Sequence, residues 1–472
     1  MTSIILLSVF GIVNLFLGFL RSNKVLLPGA MLLLLAVFGA NYADWNSEPA
    51  SYFNHMLVVD HYTVAFTGIV LLTAIVLLPF SRSYVTSGEP NLAEYYALLL
   101  FSLVGAIMMV GYDHLLMLFV GIEILSISMY VLAGSSKRDS RSNEAALKYF
   151  LMGAFATGIL LFGVALLYGA TGTFALSQLA AAVAAPTNAS LQPMLYIGIL
   201  LMIIGIGFKV SAAPFHFWTP DVYEGTPTFF TAFMSTVVKT AGFAAFLKLL
   251  AVALPAAQGF WMPTIQAMCA LTLLLGNVGA AVQTSPKRML AYSSVSHAGY
   301  LLIGLVASKG IILGTNGTTS EAASAIFFYS LAYSIATVAA FGVLKLVNDH
   351  RQNDSYAGLN GLGRTNPLLA FVMTVAMLSL AGIPLTGGFF GKFFLLAAAV
   401  GQGYIGLVVF AVIMSMVGLY YYLRPLIAMY LRPADDNATP VPVDGIQSAT
   451  LVVLALLTIV LGIAPSFMSG LL

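Results

Sequence analysis

Residues 115–132 read LLMLFVGIEILSISMYVL, an apolar run holding a single charge, Glu123. Its length is near the ~20 residues that a helix needs to cross a bilayer. Comparable runs recur along all 472 residues. The chain is 60% hydrophobic and 8% charged, with mean hydropathy +0.97. A soluble domain carries about 25% charged residues, so most of this surface belongs in lipid. Backbone polar groups in lipid must pair inside their own segment, which selects helices. Barrel strands would alternate over ~10-residue segments, and these runs are continuous. The expected fold is an all-α polytopic membrane protein.

Fourteen spans fit the pattern, at about 3–20, 25–40, 62–81, 94–111, 114–133, 146–169, 194–223, 227–253, 260–283, 289–307, 322–348, 368–400, 403–430 and 447–470. Positive charge favours cytoplasmic loops. Loops after odd-numbered spans hold Arg21, Lys24, Arg82, Lys137, Arg138, Arg141, Lys287, Arg288, Arg351, Arg364 and Arg432, with Lys345 and Arg424 at span ends on the same side. Loops after even-numbered spans hold only Lys309. The asymmetry supports the count and puts both termini on the outer side. The N-terminal run lacks a small-residue cleavage site, so it reads as a first span rather than a signal peptide.

Two spans carry breakers. The seventh runs through GIGFKVSAAPFHFWTPDVYEGTP (205–227), where Pro214 removes a backbone donor shortly after Lys209. The twelfth contains MLSLAGIPLTGGFFGKFFLL (377–396), with Pro384 and four glycines just before Lys392. Interrupted helices at membrane depth are buried in protein or line a water-filled cavity, and they bring free helix ends beside ions. A faint echo links LLFGV (160–164) to AAFGV (339–343). It divides the chain into helices one to three (1–93), a five-helix repeat (94–253), a second repeat (260–430) and a last helix (447–472). Units with an odd number of helices insert in opposite senses, so the repeats are expected to be inverted.

Charges inside spans are costly, by ~2.5–3.5 kcal/mol on insertion scales, and usually mark ion or proton paths. Glu123, Lys148, Lys209, Lys239, Lys248 and Lys392 sit in such stretches. Burial weakens a lysine's hold on its proton, and an acidic neighbour strengthens it. Glu123 and Lys209 therefore read as a switchable pair, Lys239 as a mid-span carrier and Lys392 as a carrier beside the second break. Lys148 lies near a helix end, where a path role and snorkelling to the interface both fit. Lys248 lies near the outer end of its span, where snorkelling is expected. His297 sits among Ser293, Ser294, Ser296 and Tyr300. It suits either a proton relay or a plain interhelical hydrogen bond. His216, Trp218, Asp221, Tyr223 and Glu224 crowd the loop after the seventh break, as an inlet or as a structural pin. His55, His61, His114 and His350 read as loop residues.

The net charge of +2 and the lack of a basic tract give no sign of nucleic acid. Cys269 is a lone cysteine in an apolar stretch and reads as a small core residue. No cysteine pair, HExxH, P-loop or dinucleotide fingerprint is present. The chain is expected to carry no metal or redox centre of its own.

APFHFWTPDVYEGTPT (213–228), SPKRMLAYSSVSHAGYLL (285–302) and GIPLTGGFFGKFFLL (382–396) resemble the antiporter-like membrane subunits of respiratory complex I, an NADH-quinone oxidoreductase. Some members of that family, Mrp-type antiporters included, carry a His-Ala-Ala-Thr run in the eighth span. This chain reads AFMSTVVKTAG (232–242) there. The resemblance implies fourteen helices in two inverted five-helix repeats. It matches Glu123, Lys209, Lys239 and Lys392 to the family's proton path, and Lys148 to a sixth-helix lysine. It also implies partners in the membrane arm of a bacterial cell-membrane complex. NADH, FMN, iron–sulfur clusters and quinone would then act in partner subunits. The leading expectation is a proton-translocating subunit of a redox-driven translocase. A stand-alone or Mrp-type cation/proton antiporter and a passive anchoring subunit are the rivals.

Overall fold

A computed structural model of the protein describes residues 1–19, 23–86, 89, 91–185, 189–308, 321–434 and 439–466. Arg21 and Lys309, used above in the charge asymmetry, lie outside the described residues. The chain is a multi-pass helical membrane protein. Among the described residues, twelve helices are long and apolar enough to cross a membrane. Shorter apolar helices add Thr2–Leu17, Pro367–Ala381 and Gly387–Gly401.

Local chemistry sets the helix ends. Asp60 caps His61–Leu77 by accepting from the Thr63 amide at 2.8 Å. Ser285 caps Pro286–Ala307, with Pro286 in the first turn, where its missing N–H costs nothing. Asp444 and Gln447 form a capping box on Gly445–Ile463. His61 opens its helix and His350 lies in the last turn of Glu321–Arg351, so neither is a loop residue.

Glycines bring some helices into backbone contact. A Cβ on Gly105 would lie 2.6 Å from the Gly121 carbonyl oxygen, so Leu92–Gly111 and the Glu123 helix, Leu115–Ala133, touch directly. Gly276 plays the same part between Gln258–Ala281 and the His297 helix, Pro286–Ala307. Its Cβ would meet the Ser296 backbone nitrogen at 2.5 Å.

Burial sorts the helices. The most apolar window of Glu321–Arg351 is 100% buried, and those of Thr228–Ala253 and Pro286–Ala307 are 94% buried. The corresponding figure for Ile405–Leu431 is 28%, so that helix faces outward. The three central helices carry Lys239, Lys248, His297, Tyr329 and Tyr333. A short antiparallel hairpin, Ala50–Tyr52 with Leu57–Val59, packs on the turn between the Gly105 and Glu123 helices through Leu57 and Tyr112.

Candidate functional site

Both sequence breaks are breaks in the structure. Gln192–Lys209 stops at Lys209, and the chain resumes as helix only at Trp218–Gly225. Pro367–Ala381 stops before Gly382, and helix resumes at Gly387–Gly401. Gly382 has φ +84°, and a Cβ there would meet Lys392 Cδ at 2.9 Å. The position needs glycine for its backbone and for the lysine beside it.

Lys209 is 6% exposed and donates to Ser126 Oγ at 2.7 Å, with its Nζ 5.8 Å from the Tyr149 ring centroid. Ser126 stands one turn along the helix from Glu123. Glu123 is half-buried and exerts its charge on Lys209, yet no direct ion pair joins them among the described residues. The two act across a gap, with Ser126 Oγ accepting the hydrogen bond of the Lys209 ammonium.

Lys239 is 2% exposed. Its Nζ donates to the Ser294 carbonyl and to Ser294 Oγ. It directly follows a π turn, Met234–Val238. Such turns occur frequently at functional sites. Tyr333 also donates to Ser294 Oγ, at 3.0 Å. The Tyr223 hydroxyl faces both Ser294 and Ser211, so it lies between the Lys209 break and Lys239.

His297 is buried beyond Ser294. Its Nδ1 is 2.5 Å from the Tyr329 hydroxyl and its Nε2 is 2.9 Å from the Tyr422 hydroxyl. Tyr422 also shares a 2.5 Å hydrogen bond with Ser293. The Tyr329 ring stacks parallel to Tyr333 on one side and lies 6.3 Å from Tyr300 on the other. Lys392 sits over Tyr300, 4.7 Å from its centroid. It donates to the Ala381 carbonyl at 2.8 Å and to Ser415 Oγ at 3.2 Å.

The structure thus buries Lys209, Lys239, His297 and Lys392 among serines and tyrosines, with Ser294 and Tyr333 between Lys239 and His297. Lys148 stands apart. It is half-exposed and pairs with Glu144 at 2.6 Å and Asp221 at 2.9 Å. Asp221 also pairs with Arg288 at 2.8 Å, and Arg288 reaches Glu224. Burial raises the Asp221 carboxyl, but the hydrogen bonds and charges of Lys148 and Arg288 outweigh it and hold it below its ordinary range. Trp218 stacks on Tyr149 at 4.7 Å, while the His216 ring, outside the helices, is pushed down by burial.

Lys248 corrects the snorkelling expectation. It is 5% exposed, and its Nζ is buried without a hydrogen-bond partner. Its helix is packed on every side, so no interface lies within reach of the head group. Tyr223 was read only as part of an inlet or structural pin, and Tyr329, Tyr333 and Tyr422 were missed as site residues. Among the described residues, no cluster of His, Cys, Asp or Glu is arranged to hold a metal ion.

Residues 113–418 match the family described as NADH:quinone oxidoreductase/Mrp antiporter, transmembrane. The chain belongs to that NADH:quinone oxidoreductase/Mrp antiporter family. NADH-quinone oxidoreductase subunit N of Cytophaga hutchinsonii is 40% identical over 468 residues, covering 99% of this chain and 98% of the relative. The protein of the same name from Trichlorobacter lovleyi is 42% identical over 466 residues, covering 98% and 93%. A chain of respiratory complex I from Thermus thermophilus superposes with TM-score 0.83 at 34% identity, over 99% of this chain and 98% of that one. A chain of the Mrp complex from Dietzia shares the fold, with TM-score 0.83 at 22% identity over 100% and 96%. Members of this family thus include redox-complex subunits and antiporter subunits, and the higher identities lie with the former.

Proposed function

We propose that this chain is the N-type, proton-translocating membrane subunit of a redox-driven NADH-quinone oxidoreductase. The observation that carries the reading is the burial of Lys209, Lys239, His297 and Lys392 in one bundle, each against hydroxyl-bearing neighbours: Ser126; Ser294 with Tyr333; Tyr329; and Tyr300, respectively. A buried ammonium responds strongly to nearby charges, because little solvent screens them. It can therefore release a proton when a neighbouring charge changes. Glu123 is that charge for Lys209. When Glu123 is ionised and near, Lys209 keeps its proton; when Glu123 is neutralised or withdrawn, the proton moves on through Ser211, Tyr223 and Ser294 to Lys239. His297 and its tyrosines carry it towards Lys392 and Ser415.

The inlet is a polar cleft of about 490 Å³ on the side of the basic loops, lined by Asp139, Glu224, Lys287, Lys345 and Asp349 among others. Lys148 belongs to the charge cluster at that end rather than to the buried set. The excess of positive residues on this side supports a cytoplasmic face there, with both termini outside a bacterial cell membrane. Fourteen spans result if Thr2–Leu17 and the broken pair Pro367–Ala381 with Gly387–Gly401 each count as one. The matching glycine contacts and matching breaks support two inverted units, 94–253 and 260–430. NADH oxidation, FMN, iron–sulfur clusters and quinone reduction belong to partner subunits, and other antiporter-like subunits adjoin this one in the membrane arm.

The reading is tested by proton uptake into vesicles that contain the whole complex. Neutralising Glu123, Lys209 and Lys239 together should abolish the share of uptake carried by this chain. Transport that is intact in the assembled triple variant means a passive anchor. Proton or cation exchange by the chain alone, without redox partners, means an antiporter.

A further inference from the structure

Lys248 lies outside the buried set just described. Its buried Nζ has no hydrogen-bond partner and stands 5.6 Å from the Tyr112 ring centroid. An ammonium held this way is costly unless charge or water compensates it. The surroundings are built rather than accidental. Lys248 directly precedes a second π turn, Leu249–Ala253, just as Lys239 directly follows the first. On the turn before Lys248, Tyr62 donates to the Ala244 carbonyl and Tyr112 to the Ala245 carbonyl, each at 2.9 Å.

The acids whose charges act on Lys248 are Asp60 and Asp113. Both are half-buried and lie outside the helices that flank them. Burial raises the Asp113 carboxyl above its ordinary range, against the opposing pull of Lys248, His55 and His114, while Asp60 adds to the rise. Such a carboxyl holds a proton more readily near neutral pH than an exposed one. The Asp113 amide donates to the Met56 carbonyl at 2.9 Å, which ties the acid to the 50–59 hairpin. His55, in the hairpin turn, is exposed. From the inside outwards the order is buried lysine, half-buried carboxylates, exposed histidine.

Lys248 follows Lys239 along one helix, a rise of about 13 Å at ~1.5 Å per residue. Thr67, on His61–Leu77, which packs against this stretch, keeps a buried hydroxyl without a partner. Ser330 on Glu321–Arg351 does the same. Buried polar groups left in this way are where ordered water is held.

We propose that Lys248, with Asp113 and Asp60, forms a proton-release site that gives the first half of the molecule its own outlet on the hairpin face. The Lys248 ammonium passes its proton to the Asp113 carboxylate. Asp113 releases it to water beside His55, and the neutral amine takes the next proton from the Lys239 side. The outlet rests on the proton-translocating reading above.

The test uses the intact complex in vesicles, with proton uptake measured per NADH oxidised. Lys248→Arg, Asp113→Asn and, as comparator, Lys239→Gln are made separately, and assembly is checked on native gels. Arginine keeps the charge but does not deprotonate in proteins. The outlet predicts loss of uptake in both Lys248→Arg and Asp113→Asn. Wild-type uptake in Lys248→Arg overturns it, because a charge needed only for structure is satisfied by arginine. Should Lys248→Arg fail to assemble, Asp113→Asn decides alone, and unchanged uptake there overturns the outlet. Reduced uptake in Lys239→Gln beside unchanged uptake in the other two leaves the main path standing and removes the outlet. Unchanged uptake in all three removes the proton-translocating reading itself.

Discussion

The two broken helices hold their lysines on opposite sides of the gap. Lys209 ends the helix before its break and is received by Ser126 of a neighbouring helix. Lys392 follows its break and reaches back to the Ala381 carbonyl, the last residue before the gap. A carboxylate, Glu123, acts on Lys209. The neighbours that touch Lys392 are a carbonyl, a serine and a tyrosine ring. The difference is one of charge: a carboxylate acts at the first break, whereas the groups that touch Lys392 at the second carry none. In the proposed path, the first break is therefore the one that charge can control. Lys239 stands between them, fixed to Ser294.

The comparison breaks most completely at that middle point. Lys239→Met should lower proton flux through this chain by ~100-fold, the low end of what positioned acid–base groups contribute. Quinone reduction in an artificial assay should fall less. Pumping that matches wild type would take Lys239 out of the path. Glu123→Gln is next. It removes the charge that governs Lys209 and should slow transfer about tenfold, the equivalent of ~1.4 kcal/mol. Ser415→Ala at the other break removes no charge and should cost less. Equal losses in the two variants, measured as initial rates of vesicle acidification, would erase the proposed contrast.

Smaller effects sharpen it. Gly382→Ala forces a side chain into a left-handed backbone and against Lys392, so about 1–3 kcal/mol of stability should be lost. Thermal unfolding of the purified complex in detergent reads this. Tyr422→Phe removes a hydroxyl shared by His297 and Ser293, for about 0.5–1.5 kcal/mol. Its flux should stay nearer to wild type than that of Glu123→Gln. The smallest effect is confined to acid. Asp221 is held below its ordinary value, so the stability it contributes is complete above about pH 3.9, the unfolded aspartate value. That contribution is lost as pH falls through the folded value. Asp221→Asn should flatten this acid dependence without altering its shape near neutrality, as followed by unfolding midpoints across pH.

The buried charges assigned to the proposed path were legible where a charge stood in an apolar run. Glu123, Lys209, Lys239 and Lys392 are visible in that way because hydrocarbon tolerates charge so poorly. Both breaks were legible through proline and glycine. Lys248 was misjudged because a position near a span end looks the same whether its helix meets lipid or is enclosed. Tyrosines in membrane helices commonly mark interfaces, so Tyr329, Tyr333 and Tyr422 did not show from sequence that they converge on Ser294 and His297. The hairpin at 50–59 was also missed, since its short strands lie between spans.

Sequence alone determined that this chain lives in a bilayer as helices, and that Lys209, Lys239 and Lys392 stand inside its apolar runs. Both follow from transfer energies that depend on residue type and run length. Tertiary structure decided which helices occupy the centre and which hydroxyl receives each ammonium. It also enclosed Lys248 and held Glu123 at a distance from Lys209. Those outcomes depend on helix packing, where glycine contacts between distant segments set the approach to within ångströms. Proton transfer is sensitive to the same scale.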